Sequence, residues 1–419
     1  MNASLKGLKG YLYSSYGLDA SILTQTEDLT LPGDTVNGIT VGAYEINEDK
    51  VPSYSSRGPT NDGRTKPDVV APGSFIFSAR SQQWDLLSQF SFLPDPESNH
   101  FYRLYKQLNE EGADWYRYES GTSMATPAIS GLLAQMVEYF EIPKGARVPQ
   151  HIPVAGYKAL LINSARPTSE TYNYDLHSTI NYAGWGRPEL HRALSSGFKL
   201  GDQPIVGFSV RGTGAGSVGL ATGQGRSYRL RIAEAEKGRP ISLTLAWTDP
   251  PGNPAASIKL VNNLDLIVSN TLTGEFYIGN DFSPTSRFSQ PHSVTDTNLP
   301  AASFDFVNNV ERVVVPARMT NADLIVTVYA RQVNVNANRD DPANIAQDAA
   351  LVLAAFTLLE LRTAEPLLDV RVFAVPRFTA GAAAISVQFF CLFGFIFVVT
   401  QYFQFVKGYG TLSAGVHTL

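Results

Sequence analysis

The chain has 419 residues, 44% of them hydrophobic and 17% charged, which is enough apolar material for two or three folded domains. Its net charge of −5 gives no basic field to attract phosphates, so we expect no nucleic-acid partner. Its single cysteine, Cys391, excludes an intrachain disulfide and a thiolate zinc site.

The N-terminal third is read in four segments. Residues 1–37 match no pattern, and they contain no continuous apolar stretch of the kind found in a signal peptide. Residues 38–46, "GITVGAYEI", predict a buried strand. A loop rich in Gly, Pro, Asn and Asp follows at residues 55–73 and encloses a short strand, "DVVA". Residues 81–117 are polar and aromatic, which indicates a surface insertion.

Two helices are predicted after this insertion. The first follows Ser123, and the second covers residues 154–165, ending before Pro167. Together with the strands they predict an α/β layer structure over residues 38–198. The first helix is indicated by apolar residues at helical spacing, namely Ile129, Leu132, Leu133, Met136, Val137 and Phe140.

The pattern of hydrophobic and polar residues changes near residue 200, where a linker is predicted. The following stretch, residues 202–360, contains short runs of alternating hydrophobicity separated by turn residues, which is typical of an all-β sandwich or jelly roll. The runs are "SYRLRIA", "ISLTLAW", "LDLIVSN", "VERVVVPA" and "ADLIVTVYA".

The C-terminal segment has the composition of a membrane span. No charged residue occurs from Phe378 to Val406, and about 20 apolar residues suffice to cross a bilayer. We therefore predict a transmembrane helix over residues 380–405 and a short tail over residues 406–419. The alternative is a buried core helix.

A serine lies in the glycine-flanked turn "GTSMATP", residues 121–127. A serine hydroxyl becomes a nucleophile only with an adjacent base and with donors for the oxyanion. Ser123 is predicted just before a helix, whose first N–H groups favour negative charge, and Gly121 permits close backbone approach to a substrate. The alternative is that Ser123 or Thr122 is a helix N-cap, and the residues alone leave both open.

Several motifs resemble the subtilisin-like serine proteases. "GTSMATPAISG" resembles the nucleophile motif of that family, and "YSSRGPTNDGRTKPDVVAPG" resembles the block upstream of it. "YAGWGRPELHRAL" looks like the segment that closes the catalytic domain. The resemblance covers about residues 38–330. Its β part, with "LVNNLDLIV", "YIGNDFS" and "NNVERVVV", looks like the C-terminal domain of the oxidatively stable alkaline protease group.

The resemblance implies an Asp-His-Ser triad in that chain order, with Ser123 as nucleophile and Gly121 and Thr122 beside the oxyanion. Only His100 precedes Ser123 among the histidines, and it lies in the insertion without the family's His-Gly-Thr context. The family's Asp block and its oxyanion asparagine are also not found, because Asn2 and Asn37 lack the right surroundings.

We therefore expect a membrane-anchored serine endopeptidase that cleaves proteins or peptides, seen without the part that carries Asp and His. The family's usual workplace favours an extracytoplasmic body with a short inner tail. One alternative is an inactive, membrane-anchored pseudoprotease whose β-domain binds a protein partner. Another is a non-functional fragment.

Oxygen-bearing side chains are frequent in the β part and suit calcium. Relatives in the family often bind structural Ca²⁺ there, so the resemblance makes calcium an expectation. The alternative is that they are turn residues. The candidates are Asp249, Asn263, Asp265 and Asp281, with Asn262 and Asn280 beside them.

Overall fold

The computed structural model describes residues 29, 32–91, 93–110, 115–141, 152–168, 172, 179–194, 199–200, 203–204, 208–209, 219–232, 237–238, 240–293, 295, 304–320, 323–337 and 345–355. The chain divides into two compact units, Met1–Phe356 and Thr357–Leu419, and every described residue belongs to the first. Within that part of the chain, no helix is both long and apolar enough to cross a membrane. The predicted span at residues 380–405 and the tail lie outside the described residues.

A parallel pair of strands lies at the centre of the α/β part. β1 (Val41–Tyr44) pairs with β2 (Val69–Pro72), which confirms the two strands predicted in "GITVGAYEI" and "DVVA". All four residues of β1 and the first three of β2 are buried, as expected for parallel strands covered on both faces.

The insertion is more ordered than its composition suggests. Two short strands, β3 (Ile76–Ala79) and β4 (Tyr116–Glu119), pair antiparallel and enclose it. Between them lie α1 (Leu86–Gln89), a 3-10 turn at Pro96–Ser98 and α2 (His100–Glu110). α2 was not predicted, although Tyr102, Tyr105 and Asn109 lie at helical spacing.

Within the described residues, four helices follow the insertion, the first two at the predicted places. They are α3 (Thr122–Glu141), α4 (Val154–Ser164), α5 (Thr179–Ala183) and α6 (Leu190–Leu194). α4 is buried on almost every side because it packs against strands of the β part as well as against α3. A helix without a polar outer face has to be covered in this way.

The β part consists of two antiparallel sheets, and all five of the predicted runs are strands within them. Jelly-roll connectivity stays a prediction. The strands are β5 (Lys199–Leu200), β6 (Gln203–Pro204), β7 (Phe208–Ser209), β8 (Gly225–Arg231), β9 (Ile241–Ala246), β10 (Asn262–Asn270), β11 (Glu275–Ile278), β12 (His292–Ser293), β13 (Val310–Val315), β14 (Leu324–Val333) and β15 (Ala350–Ala355). One sheet has the order β12-β11-β10-β14-β8-β5-β6 and the other β13-β9-β15-β7.

The α/β part and the β part share a core. One cluster joins Ile129 and Leu161 of the helices to Ala246, Val310 and Val352 of the β strands. A side-chain link reinforces it, since the Asn163 Oδ1 atom accepts hydrogen bonds from the Ser242 and Thr244 hydroxyls at 2.8 and 3.0 Å. The two predicted domains therefore form one packed unit within the described residues.

Candidate active site

Ser123 lies in the first turn of α3, as its second residue. Ser123 was predicted just before the helix, so the helix begins two residues earlier than predicted. The side chain of Ser123 is exposed, and Gly121 and Thr122 are half-buried. Ser123 is thus presented to solvent on a rigid element rather than on a loop.

The turn before α3 is fixed to the end of β2. The Gly121 N–H donates to the Gly73 carbonyl at 2.8 Å, and the Tyr54 hydroxyl donates to the same carbonyl at 2.8 Å. A Cβ at residue 73 would lie 2.7 Å from the Ala43 Cβ and 2.9 Å from the Gly121 oxygen. Only glycine therefore permits the approach that positions Ser123 against the parallel strands.

The start of α3 supplies donors near the hydroxyl. The N–H groups of Met124 and Ala125 both point to the Gly121 carbonyl, at 3.1 and 3.4 Å. The N–H groups of Thr122 and Ser123 have no carbonyl acceptor within the helix, as at any helix N-terminus. They therefore point out of the helix end, where they favour a negative charge.

No base contacts this serine within the described part of the chain. There, the Ser123 hydroxyl has no hydrogen-bond partner. His100 begins α2 in the insertion and is exposed. His292 lies in β12, where its Nε2 is 2.6 Å from the Asp281 Oδ2 atom. His191 belongs to α6, and the remaining histidines, His151, His177 and His417, lie outside the described residues.

Asn37 does not act as an oxyanion donor in this arrangement. Its Nδ2 donates to the Asp249 carbonyl at 2.9 Å, and its Oδ1 accepts from the Asp249 N–H at 2.9 Å. The Asn309 Nδ2 atom also donates to this oxygen, at 3.1 Å. Asn37 therefore joins the α/β part to the β part, and Asn2 lies outside the described residues.

The calcium candidates have protein partners of their own. The Asp249 carboxylate accepts the N–H groups of Val261 and Asn262 at 2.8 Å, and burial raises the pKa of Asp249 to about 6. The Asp265 carboxylate is paired with Arg331, with its Oδ2 2.8 Å from the Nη2 atom.

Asp281 and Asn263 are the other two calcium candidates. Asp281 is paired with His292, and the Oδ1 atom of Asn263 is buried without a hydrogen-bond partner. No group of three or more His, Cys, Asp or Glu side chains in the described residues could hold a metal ion. Structural calcium at Asp249, Asn263, Asp265 and Asp281 stays a prediction.

A buried ionic cluster around Asp68 was not predicted from the sequence. The Asp68 carboxylate lies between two lysines, with Oδ2 2.5 Å from the Lys66 Nζ and Oδ1 3.2 Å from the Lys158 Nζ. The spacing of "KPD" brings Lys66 and Asp68 together, but nothing local indicates Lys158 from α4. Burial opposes ionisation of Asp68, yet Lys158 and Lys66 hold its pKa below the ordinary value.

Part of the chain matches a known protein family. A model of the Subtilase family matches residues 15–186, which include Ser123 and the strands behind it. The match begins before residue 38, so it reaches into the segment for which the sequence analysis found no pattern.

Curated relatives extend the similarity into the β part. The chain is 32% identical over 359 residues to the serine protease/ABC transporter B family protein tagD of Dictyostelium discoideum, covering 77% of this chain and 17% of that protein. It is 31% identical over 315 residues to tagB of the same organism, covering 66% of this chain and 15% of that protein. Serine protease AprX of Bacillus subtilis (strain 168) is 34% identical over 119 residues, covering 27% of this chain and 23% of that protein. The chain spans about a sixth of the length of the two Dictyostelium relatives.

Proposed function

We propose that this chain carries the nucleophile of a subtilisin-like serine endopeptidase and that Ser123 attacks the peptide bond of a protein or peptide substrate. The observation that carries the proposal is the exposed Ser123 at the start of α3, inside the region that matches the Subtilase family. Similarity to serine proteases over most of the chain supports it.

The proposed reaction proceeds through an acyl-enzyme on Ser123. The Ser123 Oγ attacks the substrate carbonyl, a base takes its proton, and the leaving amine departs with a proton, which gives an acyl-enzyme. Water then hydrolyses the ester and restores the hydroxyl. The N–H of Ser123 at the helix end stabilises the oxyanion that develops.

Among the described residues no base contacts Ser123, so the base has to come from another segment. The outward face of α3 offers a place for the polypeptide that would bring it. Ser123, Pro127, Ser130 and Ala134 are exposed at helical spacing along that face, and Gly131 has open space where a Cβ would be. A mostly apolar helix with an uncovered face is unusual, which supports docking of a further polypeptide here.

Membrane attachment is a further part of the proposal. The uncharged stretch from Phe378 to Val406 supports it, as do relatives that are named for a transporter as well as a protease. We propose a single-pass anchor at residues 380–405 with an extracytoplasmic body. Carbonate extraction of membranes that contain the full chain is expected to leave it in the pellet, and a chain without residues 380–405 is expected in the supernatant. Release of both forms would contradict the anchor.

A pseudoprotease that binds a protein partner is the second candidate. The observation that favours it is the Ser123 hydroxyl, which has no hydrogen-bond partner among the described residues. In this case the exposed face of α3 serves binding alone and Ser123 is inert.

Labelling with a fluorophosphonate probe distinguishes the two candidates. The full-length cellular protein is labelled as wild type, as Ser123→Ala and as Ser130→Ala. Ser130 is a matched control because it is also exposed on α3, about two turns further on, and its hydroxyl donates to the Thr126 carbonyl. The endopeptidase predicts labelling that only Ser123→Ala abolishes. Absence of labelling in the wild type, or labelling that survives Ser123→Ala, would refute it.

A further inference from the structure

A small cavity lies where the loop before β2, α4 and the start of β13 meet. Its lining includes three basic side chains, Arg64, Lys66 and Lys158, with Asp68 and the polar Asn309. It has room for one water-sized group. None of these residues belongs to the turn that carries Ser123.

Arg64, which lines this cavity, has an unused donor. Its Nε donates to the Asp62 Oδ2 atom at 2.7 Å, and its side chain is only 6% exposed. Its Nη1 is buried and has no hydrogen-bond partner. A buried donor without an acceptor destabilises the fold, above all when the group is charged, so this atom is expected to bind a ligand.

The charge around the cavity is also out of balance. Arg64, Lys66 and Lys158 face two carboxylates, Asp62 and Asp68, and all five side chains are at most 6% exposed. One positive charge is therefore left without a counter-ion. Burial lowers the pKa of Lys66 to about 8, and repulsion from Lys158 and Arg64 adds to this, so the ammonium group is still charged at pH 7.

We propose that this cavity binds a monovalent inorganic anion of chloride size, which accepts a hydrogen bond from Arg64 and neutralises the excess charge of the three basic side chains. The space is small, so a single-atom anion fits it better than the larger phosphate or carboxylate groups. A water molecule would satisfy the Arg64 donor but would not neutralise the net charge. A halide satisfies the donor and also neutralises the charge.

The position of the site gives the anion a structural effect. Lys66 also donates to the Gly38 carbonyl at 2.9 Å and Lys158 to the Val36 carbonyl at 3.2 Å, while the Thr65 N–H donates to the Asn308 Oδ1 atom at 2.8 Å. An ion here joins the α/β part to the β part. Because it binds the folded chain, it stabilises that state by mass action.

Thermal unfolding at constant ionic strength tests the proposal. Sodium gluconate is replaced stepwise by sodium chloride or bromide at pH 7, with the full chain as wild type, Arg64→Gln and Lys50→Gln. Lys50 is an exposed lysine and serves as the control. The wild type and the control are expected to show a saturating rise of a few degrees in Tm with halide, and Arg64→Gln is expected to show none.

A direct measurement covers the case in which Arg64→Gln does not fold. Chloride-35 NMR of the wild-type chain is expected to show line broadening that bromide relieves by competition. An equal response of Tm to all sodium salts, a halide response that survives in Arg64→Gln, or absence of broadening would overturn the proposal and leave water in the cavity. Ser123→Ala is expected to keep the halide response, which separates this result from the fate of the proposed protease activity.

Discussion

Replacing Asp68 with asparagine removes the counter-ion of two buried lysines while preserving the shape of the side chain. Lys66 and Lys158 are 2% and 4% exposed, and their Nζ atoms lie 2.5 and 3.2 Å from the carboxylate. The Thr40 N–H, which donates to the Asp68 Oδ2 atom at 2.7 Å, can still bond to the asparagine oxygen. The substitution therefore changes charge and leaves the backbone contact in place.

The expected loss follows from the burial of the pair. Removing one partner of a buried ion pair costs about 3–5 kcal/mol because the other charge stays in a poorly solvated place. An exposed pair such as Arg229–Asp323, with Arg229 61% exposed, contributes less than about 1 kcal/mol. We therefore expect Asp68→Asn to lower the free energy of unfolding by about 3–5 kcal/mol at pH 7, and Asp323→Asn by under about 1 kcal/mol.

The free energy of unfolding is also expected to depend on pH through Lys66. The pKa of Lys66 in the folded state is about 8, below the value near 10.4 of an unfolded chain. The unfolded state therefore binds more protons between these values, and the free energy of unfolding rises with pH across that window. Without Asp68 the pKa of Lys66 falls further, so the deficit of the variant shrinks as the pH rises through about 8, where Lys66 becomes neutral in both folded chains.

Urea unfolding at pH 7 and pH 9 measures both quantities. The double variant Asp68→Asn/Lys66→Met is expected to recover part of the loss, because it contains one fewer unpaired buried charge. A deficit below about 1 kcal/mol at pH 7, or one equal at both pH values, would refute the assignment of a buried, charged cluster.

Two further predictions concern the backbone and the β part. Gly186 has φ +110° and a Cβ there would lie 2.0 Å from the Arg166 oxygen, whereas Gly223 has φ +80° and open space around it. Gly223→Ala is expected to cost roughly 1–2 kcal/mol and Gly186→Ala clearly more in thermal unfolding, and equal costs would contradict the close approach. Burial raises the pKa of Asp249 to about 6, although two backbone N–H groups oppose this. The folded state then binds more protons than the unfolded state, so the free energy of unfolding falls as the pH rises from 4 to 6. Asp249→Asn is expected to flatten this part of the urea-unfolding profile, and an unchanged slope would contradict the raised pKa.

Local patterns in the sequence determined most of the elements that position the site. The alternation in "ISLTLAW" and the helical spacing after Ser123 depend on neighbours within one element, because a strand repeats every two residues and a helix every 3.6. The placement of Ser123 beside a helix start was predictable for the same reason. The resemblance to subtilisin-like proteases was also carried by short motifs.

Only the tertiary structure decided which faces and charges meet. Lys158 approaches Asp68 across 90 residues of sequence, Asn37 bonds to Asp249 across 212, and β3 meets β4 across the whole insertion. No period in the sequence encodes such pairings, because they depend on how layers pack once the elements exist. The small cavity beside Arg64 and its excess charge follow from this packing, since residues that are ordinary in their own segments become a binding site only when α4 and the β part enclose them.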